Sequence, residues 1–279
     1  MEPALYVVAT PIGNLRDITL RALDVLTSAD VVAAEDTRNT SHLLKHHGIN
    51  ARQLIAVHQH NERGAAEKLV AMLQSGQSVA FVSDAGTPGV SDPGALLVQA
   101  VLAAGLRVIP IPGASAVVTA LSASGLNAPH FLFYGFLPNK SAARRSVLQA
   151  LESHPYTLVF YEAPHRILEC VADLHAVLGG ERRIVLAREI TKLFETIHSC
   201  ALADAEAWLL SDANQQRGEF VVLVSGAAPE QGICAETQTT LSLLLAELPL
   251  KQAVQLATKI TGANRSELYQ LALQMKEGG

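Results

Sequence analysis

The stretch Ser83-Asp84-Ala85-Gly86-Thr87-Pro88-Gly89-Val90-Ser91-Asp92-Pro93-Gly94 limits what this chain can fold into more than any other. An apolar run, 78–82, precedes it and an amphipathic run, 95–104, follows, so it reads as the loop between a buried strand and a helix. A plain βα connection needs about 2–6 residues. This one is longer and carries three glycines and two prolines. Glycine takes positive φ and lets backbone approach a ligand closely. Loops at the carboxyl ends of strands in open α/β sheets are where ligands sit. Asp92-Pro93 reads as ordinary helix punctuation, an N-cap followed by proline at N1. That leaves Asp84 and the extra glycines for a ligand, with Asp84 as an acceptor for sugar hydroxyls.

The same grammar recurs along the chain. Short apolar runs at 4–9, 31–34, 54–57, 78–82 and 107–111 alternate with helix patterns, which predicts a parallel, helix-covered sheet to about residue 125. Thr19 is the expected cap of the first helix, and another helix is expected over 42–47, ending at Gly48. Asn127-Ala128-Pro129 reads as a junction. Runs at 131–135, 157–161, 184–187 and 220–224 predict a second α/β unit with a more mixed sheet, in which 193–200 is expected to pair antiparallel with 220–224. After a polar connector, 227–238, two short helices flank Gly262 in a pattern like a helix-turn-helix. Ala253, Leu256, Ala257 and Ile260 form one apolar stripe there, and Leu268, Leu271 and Ala272 another. A packing appendage is the equal alternative. The expected organisation is α/β throughout 1–125 and 126–228, with a helical tail over 235–279.

Composition sets the outer limits. The chain has 279 residues, 49% of them hydrophobic, enough to build such cores. No apolar run reaches the roughly 18 residues of a membrane span, and Met1-Glu2-Pro3 lacks the basic start of a signal peptide. Cys170, Cys200 and Cys234 lie far apart, which fits a reducing compartment and points to the cytoplasm. His58-x-His60 and His46-His47 have no cysteine nearby, so no metal is expected. A net charge of −5 argues against bulk electrostatic binding of nucleic acid, though not against a local basic cleft.

Loops after apolar strands at Thr10, Ser83, Pro112 and Tyr161 converge if their strands share one sheet and its neighbour. None holds Gly-x-x-x-x-Gly-Lys or Gly-x-Gly-x-x-Gly, so phosphate-binding readings lose support. What remains suits a nucleoside-like ligand held by backbone groups.

Seven stretches carry a family resemblance: 8–19 (VATPIGNLRDIT), 34–38 (AEDTR), 83–94, 112–116 (PGASA), 161–166 (YEAPHR), 188–195 (REITKLFE) and 217–220 (RGEF). They resemble the tetrapyrrole methylase superfamily of S-adenosylmethionine-dependent methyltransferases. The resemblance is strongest to its RNA-methylating branch, which acts on a cytidine 2′-hydroxyl of small-subunit (16S) ribosomal RNA. The tail is similar to that branch's helix-turn-helix appendage. The superfamily's Gly-x-Gly-Pro-Gly-like first loop is here Ala9-Thr10-Pro11-Ile12-Gly13, and its Gly-Asp-Pro triplet is Ser83-Asp84-Ala85. Both departures lead away from tetrapyrroles.

The resemblance implies S-adenosyl-L-methionine folded in a cleft between two α/β domains, in a homodimer that acts on the 30S subunit, with neither metal nor membrane involved. By motif position the cofactor should meet Ser83, Asp84, Ala85, Gly86, Thr87 and Val90, then Gly113, Ala114, Ser115 and Ala116, then Phe160, Tyr161 and Glu162. Transfer to a 2′-oxygen needs in-line placement, a proton acceptor and a cation near developing negative charge. Strand-end clusters supply candidates. Asp36 and Glu189 are the candidate bases; Lys192, Arg188 and Arg38 are candidates to hold phosphate or the alkoxide. Structural ion pairs Glu35/Arg38 and Glu189/Lys192 are the alternative. Arg16, Lys140, Arg144, Arg145, His165 and Arg166 are candidates for a basic track along the cleft. Rival functions are methylation of a tetrapyrrole precursor and ligand-sensing regulation of nucleic acid.

Overall fold

The computed structural model describes residues 1–58, 61–127, 129–228 and 235–277. Ala128 of the expected junction, His60, residues 229–234 of the connector and Cys234 lie outside the described residues. The chain forms two compact units, Met1–Gly226 and Ala227–Gly279.

In the first unit, β1 (Leu5–Val8), β2 (Val31–Ala34), β3 (Leu54–Ala56), β4 (Val79–Val82) and β5 (Val108–Ile111) make an all-parallel sheet in the order β3-β2-β4-β1-β5. Its strands are short and continuously apolar because both faces are covered. Side chains alternate across the sheet. Ala80 and Val82 pack with Ala22, Val25 and Leu26 of α1 (Leu20–Ser28), while Val79 and Phe81 pack with α3 (Glu62–Gln74) and α4 (Ala95–Ala103) on the other face. Thr19 caps α1, its hydroxyl accepting from the Ala22 N–H at 3.1 Å. Helix α2 spans Thr37–His46, five residues longer at its start than the sequence pattern suggests, because Asp36 caps it by accepting from the Arg38 N–H at 2.8 Å. The charged cluster after β2 is therefore partly helix-capping machinery.

The second sheet holds β6 (Phe131–Phe136), β7 (Thr157–Glu162), β8 (Arg183–Arg188), β9 (Thr196–Ala201) and β10 (Phe220–Val224) in the order β6-β7-β10-β8-β9. Only β6 and β7 run parallel. The expected pairing of 193–200 with 220–224 is corrected: β9 pairs with β8, and both edges of β10 are taken by β7 and β8. β8 and β9 are consecutive and closely joined, so local closure favours their pairing. Helices α6 (Ser141–Leu151), α7 (Ile167–Leu178) and α8 (Leu202–Ser211) cover one face. The other face packs on α5 (Ala116–Ala123), whose Val117 and Ala120 join Val159, Val185, Ala187, Val221 and Leu223 in one core. Helix α5 thus follows the first sheet in sequence but packs against the second. Ile12, from the loop after β1, packs against the same core.

The second unit holds α9 (Ala235–Glu247), α10 (Leu250–Thr261) and α11 (Arg265–Glu277) around Leu241, Val254, Ala257, Leu268 and Ala272. Gly262, at φ 71°, closes α10. The buried stripe of α10 is Ala253, Val254 and Ala257; Leu256 and Ile260, expected on it, are exposed. No helix among the described residues is long and apolar enough to cross a membrane.

Candidate active site

The loops after β1, β4 and β5 are stitched together by backbone. Thr10 and Gly86 exchange hydrogen bonds, N–H to O at 2.9 Å and 3.0 Å, and the Thr10 hydroxyl donates to the Ser83 carbonyl at 3.2 Å. The Thr87 hydroxyl donates to the Ala114 carbonyl at 3.1 Å. Gly86 sits at φ 80°, a conformation that favours glycine, at the centre of this knot.

A cavity of about 310 Å³ opens between these loops and the carboxyl ends of the second sheet. From the first half it is lined by Ile12, Ala85, Gly86, Thr87, Val90, Ser91, Asp92, Ser115 and Ala116. From the second it is lined by Phe136, Tyr161, Glu162, Ala187, Glu189, Ile190, Lys192, Glu219 and their neighbours. A register shift between Phe133 and Gly135 brings Phe136 level with Tyr161, and the two rings lie 5.6 Å apart. Ser91, Glu189 and Thr191 adopt positive φ, of 63°, 50° and 67°. Such strain in non-glycine residues collects at functional sites.

Four carboxylates and a single lysine stand on this wall. Glu162 is paired with Arg166 at 3.2 Å and accepts from the Ala163 N–H at 2.8 Å. Lys192 donates to Glu189 at 2.8 Å and to Glu219 at 2.7 Å. Burial pushes the Glu189 carboxyl up, but the Lys192 hydrogen bond, the Glu219 N–H and the nearby Lys192 and Arg188 charges outweigh it, so it is held below the usual range. Burial likewise works against the Lys192 charge, and the two glutamates reverse the effect and hold it up. Asp92 differs from the other three. Burial and the Glu35 charge push it up to about 6, with the Asp84 charge adding to the rise and a hydrogen bond from the Ser83 hydroxyl opposing it. Burial, followed by the Asp92 charge, pushes Tyr161 up to about 12.

The structure brings Ala85, Gly86, Thr87, Val90, Ser115, Ala116, Tyr161, Glu162, Glu189 and Lys192 together on one cavity. Others stand behind it. Ser83 is buried beneath the loop, Gly113 packs against Ala9, and Ala114 anchors Thr87. Phe160 faces the helical layer, since a strand presents only alternate residues to one side. Asp84 braces the loop: it accepts from the Asp36 N–H at 3.1 Å and the Asn39 amide at 3.0 Å. Asp36 lies off the cavity in a two-pronged pair with Arg38 and is lowered to about 2, chiefly by that hydrogen bonding.

The basic track is largely taken up in internal pairing. Arg144 is fully buried against Asp173 at 2.7 Å, and Arg145 binds the same carboxylate. Arg166 holds Glu162 and the Leu137 carbonyl, and Arg188 is buried, donating to the Arg217 and Phe194 carbonyls. Arg16, Lys140 and His165 are exposed.

The model of Tetrapyrrole (Corrin/Porphyrin) Methylases matches residues 4–206, and that of the RsmI C-terminal HTH domain matches 232–276. Ribosomal RNA small subunit methyltransferase I of Pseudomonas aeruginosa is 57% identical over 97% of this chain and 96% of its own length. The same-named protein of Escherichia coli O157:H7 is 53% identical over 98% and 95%. The chain belongs to the ribosomal RNA small subunit methyltransferase I family. Its fold is that of the tetrapyrrole methylases. The methyltransferase CobJ superposes with a TM-score of 0.60 at 22% identity, covering 82% of this chain and 96% of its own. Uroporphyrin-III-C-methyltransferase from Thermus thermophilus gives 0.57 at 22%, covering 80% and 94%.

Within this family member, the sequence reading missed Asp92, and it misread the capping. The N-cap of α4 is Gly94, without a side-chain cap. Buried Glu62, 32 residues upstream, takes that part, accepting from the N–H groups of Gly94 at 2.9 Å, Leu96 at 3.0 Å and Leu97 at 3.3 Å. Asp92 is thereby released to face the cavity. The clue was the loop's length, since a plain cap does not need so many residues before it.

Proposed function

We propose that this protein transfers a methyl group from S-adenosyl-L-methionine to the 2′-oxygen of a cytidine in 16S ribosomal RNA, on the assembled small subunit and in the cytoplasm, as a homodimer. The reading further takes 1–125 and 126–228 as two α/β domains that share the cofactor cleft, and 235–279 as an RNA-side appendage. One observation carries the choice of donor: an apolar wall with four carboxylates and one neutralised lysine suits a positively charged, phosphate-free nucleoside. The cavity falls within the size of small-ligand sites, roughly 300–1,000 Å³. A polyphosphate would meet repulsion there.

When bound, the sulfonium supplies an activated methyl group. The chain's own residues do the rest. Backbone at Gly86 and Ser115 offers polar partners, and Phe136 and Tyr161 offer ring faces and edges to a planar base. The carboxylates favour the positive charge. The reacting nucleotide must be splayed from its neighbours for a 2′-hydroxyl to reach the methyl. Exposed Arg16, Lys140 and His165 are available to its phosphates.

The test uses tritiated S-adenosylmethionine with small subunits from cells lacking the enzyme. The expected result is label in 16S RNA, in one dinucleotide that resists alkaline cleavage, with little label in free RNA. Label in a tetrapyrrole precursor alone, or methyl-donor uptake with no transfer, would support one of the rival functions instead.

A further inference from the structure

We infer that Asp92 is the catalytic residue that takes the proton from the attacking ribose hydroxyl. The inference rests on the methyltransferase reading above. It starts from the cavity's acid inventory. Glu162 is tied to Arg166 and the Ala163 N–H, and Glu189 and Glu219 share Lys192. Asp36, the other candidate base, is held by Arg38 away from the cavity. Asp92 is the lining carboxylate that faces no cation. Its neighbours are the Ser83 hydroxyl beneath it, the Glu35 and Asp84 carboxylates behind it, and the Tyr161 ring across from it.

The loop holds Asp92 in place by means that do not serve the helix. Its predecessor Ser91 takes φ 63°, and the Ser91 Oγ lies 2.8 Å from where a Cβ on Gly135 of β6 would stand. The helix start that Asp92 would ordinarily cap is satisfied by Glu62. A carboxylate with anionic neighbours and no cation partner holds a proton more readily than a paired one, and a proton acceptor works best when its affinity lies near the working pH.

The step balances. The 2′-oxygen forms its bond to the methyl carbon as the carbon–sulfur bond breaks. The bonding pair stays on sulfur, giving neutral S-adenosylhomocysteine. The hydroxyl proton passes to Asp92, which returns it to solvent after release.

Asp92→Asn and Asp92→Glu, made in the full chain, test this with tritium transfer to small subunits, calorimetry of S-adenosylmethionine, and a pH profile. Asparagine should lower kcat by about 100-fold or more, while donor affinity stays within about threefold. The wild-type profile should fall on the acid side near 6, and that limb should vanish in Asp92→Asn. Glutamate should recover part of the rate. Turnover within about threefold of wild type in Asp92→Asn, or an unchanged acid limb, overturns the inference and leaves the methyltransferase reading intact. A loss of donor binding that matches the loss of turnover overturns it too, making Asp92 a donor-holding residue. Wild-type protein that binds the donor yet labels no RNA refutes the parent reading, and the inference falls with it.

Discussion

Asp92 and Gly94 show how much a single position can carry in the long loop. Gly94 has φ 130°, and a Cβ there would stand 2.4 Å from Phe81 Cε1, inside the sheet core. Gly48 also has positive φ but nothing within 4 Å. Gly94→Ala should therefore destabilise by roughly 3 kcal/mol from strain and overpacking, against about 1 kcal/mol for Gly48→Ala. Denaturant midpoints compare the two directly. For Asp92 the linkage sign is unusual. Its folded value, about 6, lies above the ordinary 3.8, so the native state loses stability as pH rises through that window and does not regain it above. Asp92→Asn should raise the melting temperature at pH 7.5, by roughly 2 kcal/mol of stability, with the gain shrinking towards pH 4. Glu189 has the opposite sign. Its depressed value stabilises the fold above the ordinary 4.5, and that support is lost as pH falls through the lowered value. Glu189→Gln should be less stable than wild type at pH 7, with the gap closing on acidification.

At the scale of elements, strand positions were legible because continuous apolar runs between glycine and proline clusters have few other solutions. β2 and β10 fall where the pattern put them, and Thr19 caps its helix as its type and position suggested. What failed was long-range. Glu62 capping α4 cannot be read from a sequence, because the partners are 32 residues apart and a glutamate opening a helix looks like a surface residue. The burial of Arg144 is hidden for the same reason: a basic helix suggests a solvated face until α7 supplies Asp173. The convergence of the loops was legible because each follows an apolar strand, but the number of residues each contributes was not. Strand pleat excluded Phe160, and the brace between Asp84 and Asn39 drew Asp84 off the cavity. These capping bonds also predict a cost. Glu62→Ala strands three N–H groups and should destabilise by about 2 kcal/mol, while Glu62→Gln, which keeps an acceptor, should cost less. Thermal melts of both variants check it.

For the whole molecule, the division at residue 226 sets the expectation. Residues 1–226 hold both sheets and the cavity, and the tail has a core of its own. A chain ending at Gly226 should bind the methyl donor as the full chain does and lose affinity for small subunits, read by calorimetry and by sedimentation with 30S particles. The account's central claim is that the acid-lined cavity receives the cationic methyl donor. Calorimetry of S-adenosylmethionine against wild type and Ala116→Phe, whose ring would fill the cavity beside Ser115, tests it most directly. The account predicts one donor bound per wild-type chain and at least a tenfold weaker affinity in the variant, about 1.4 kcal/mol, with its melting temperature little changed. No donor uptake by wild type, or equal uptake by both proteins, would contradict it.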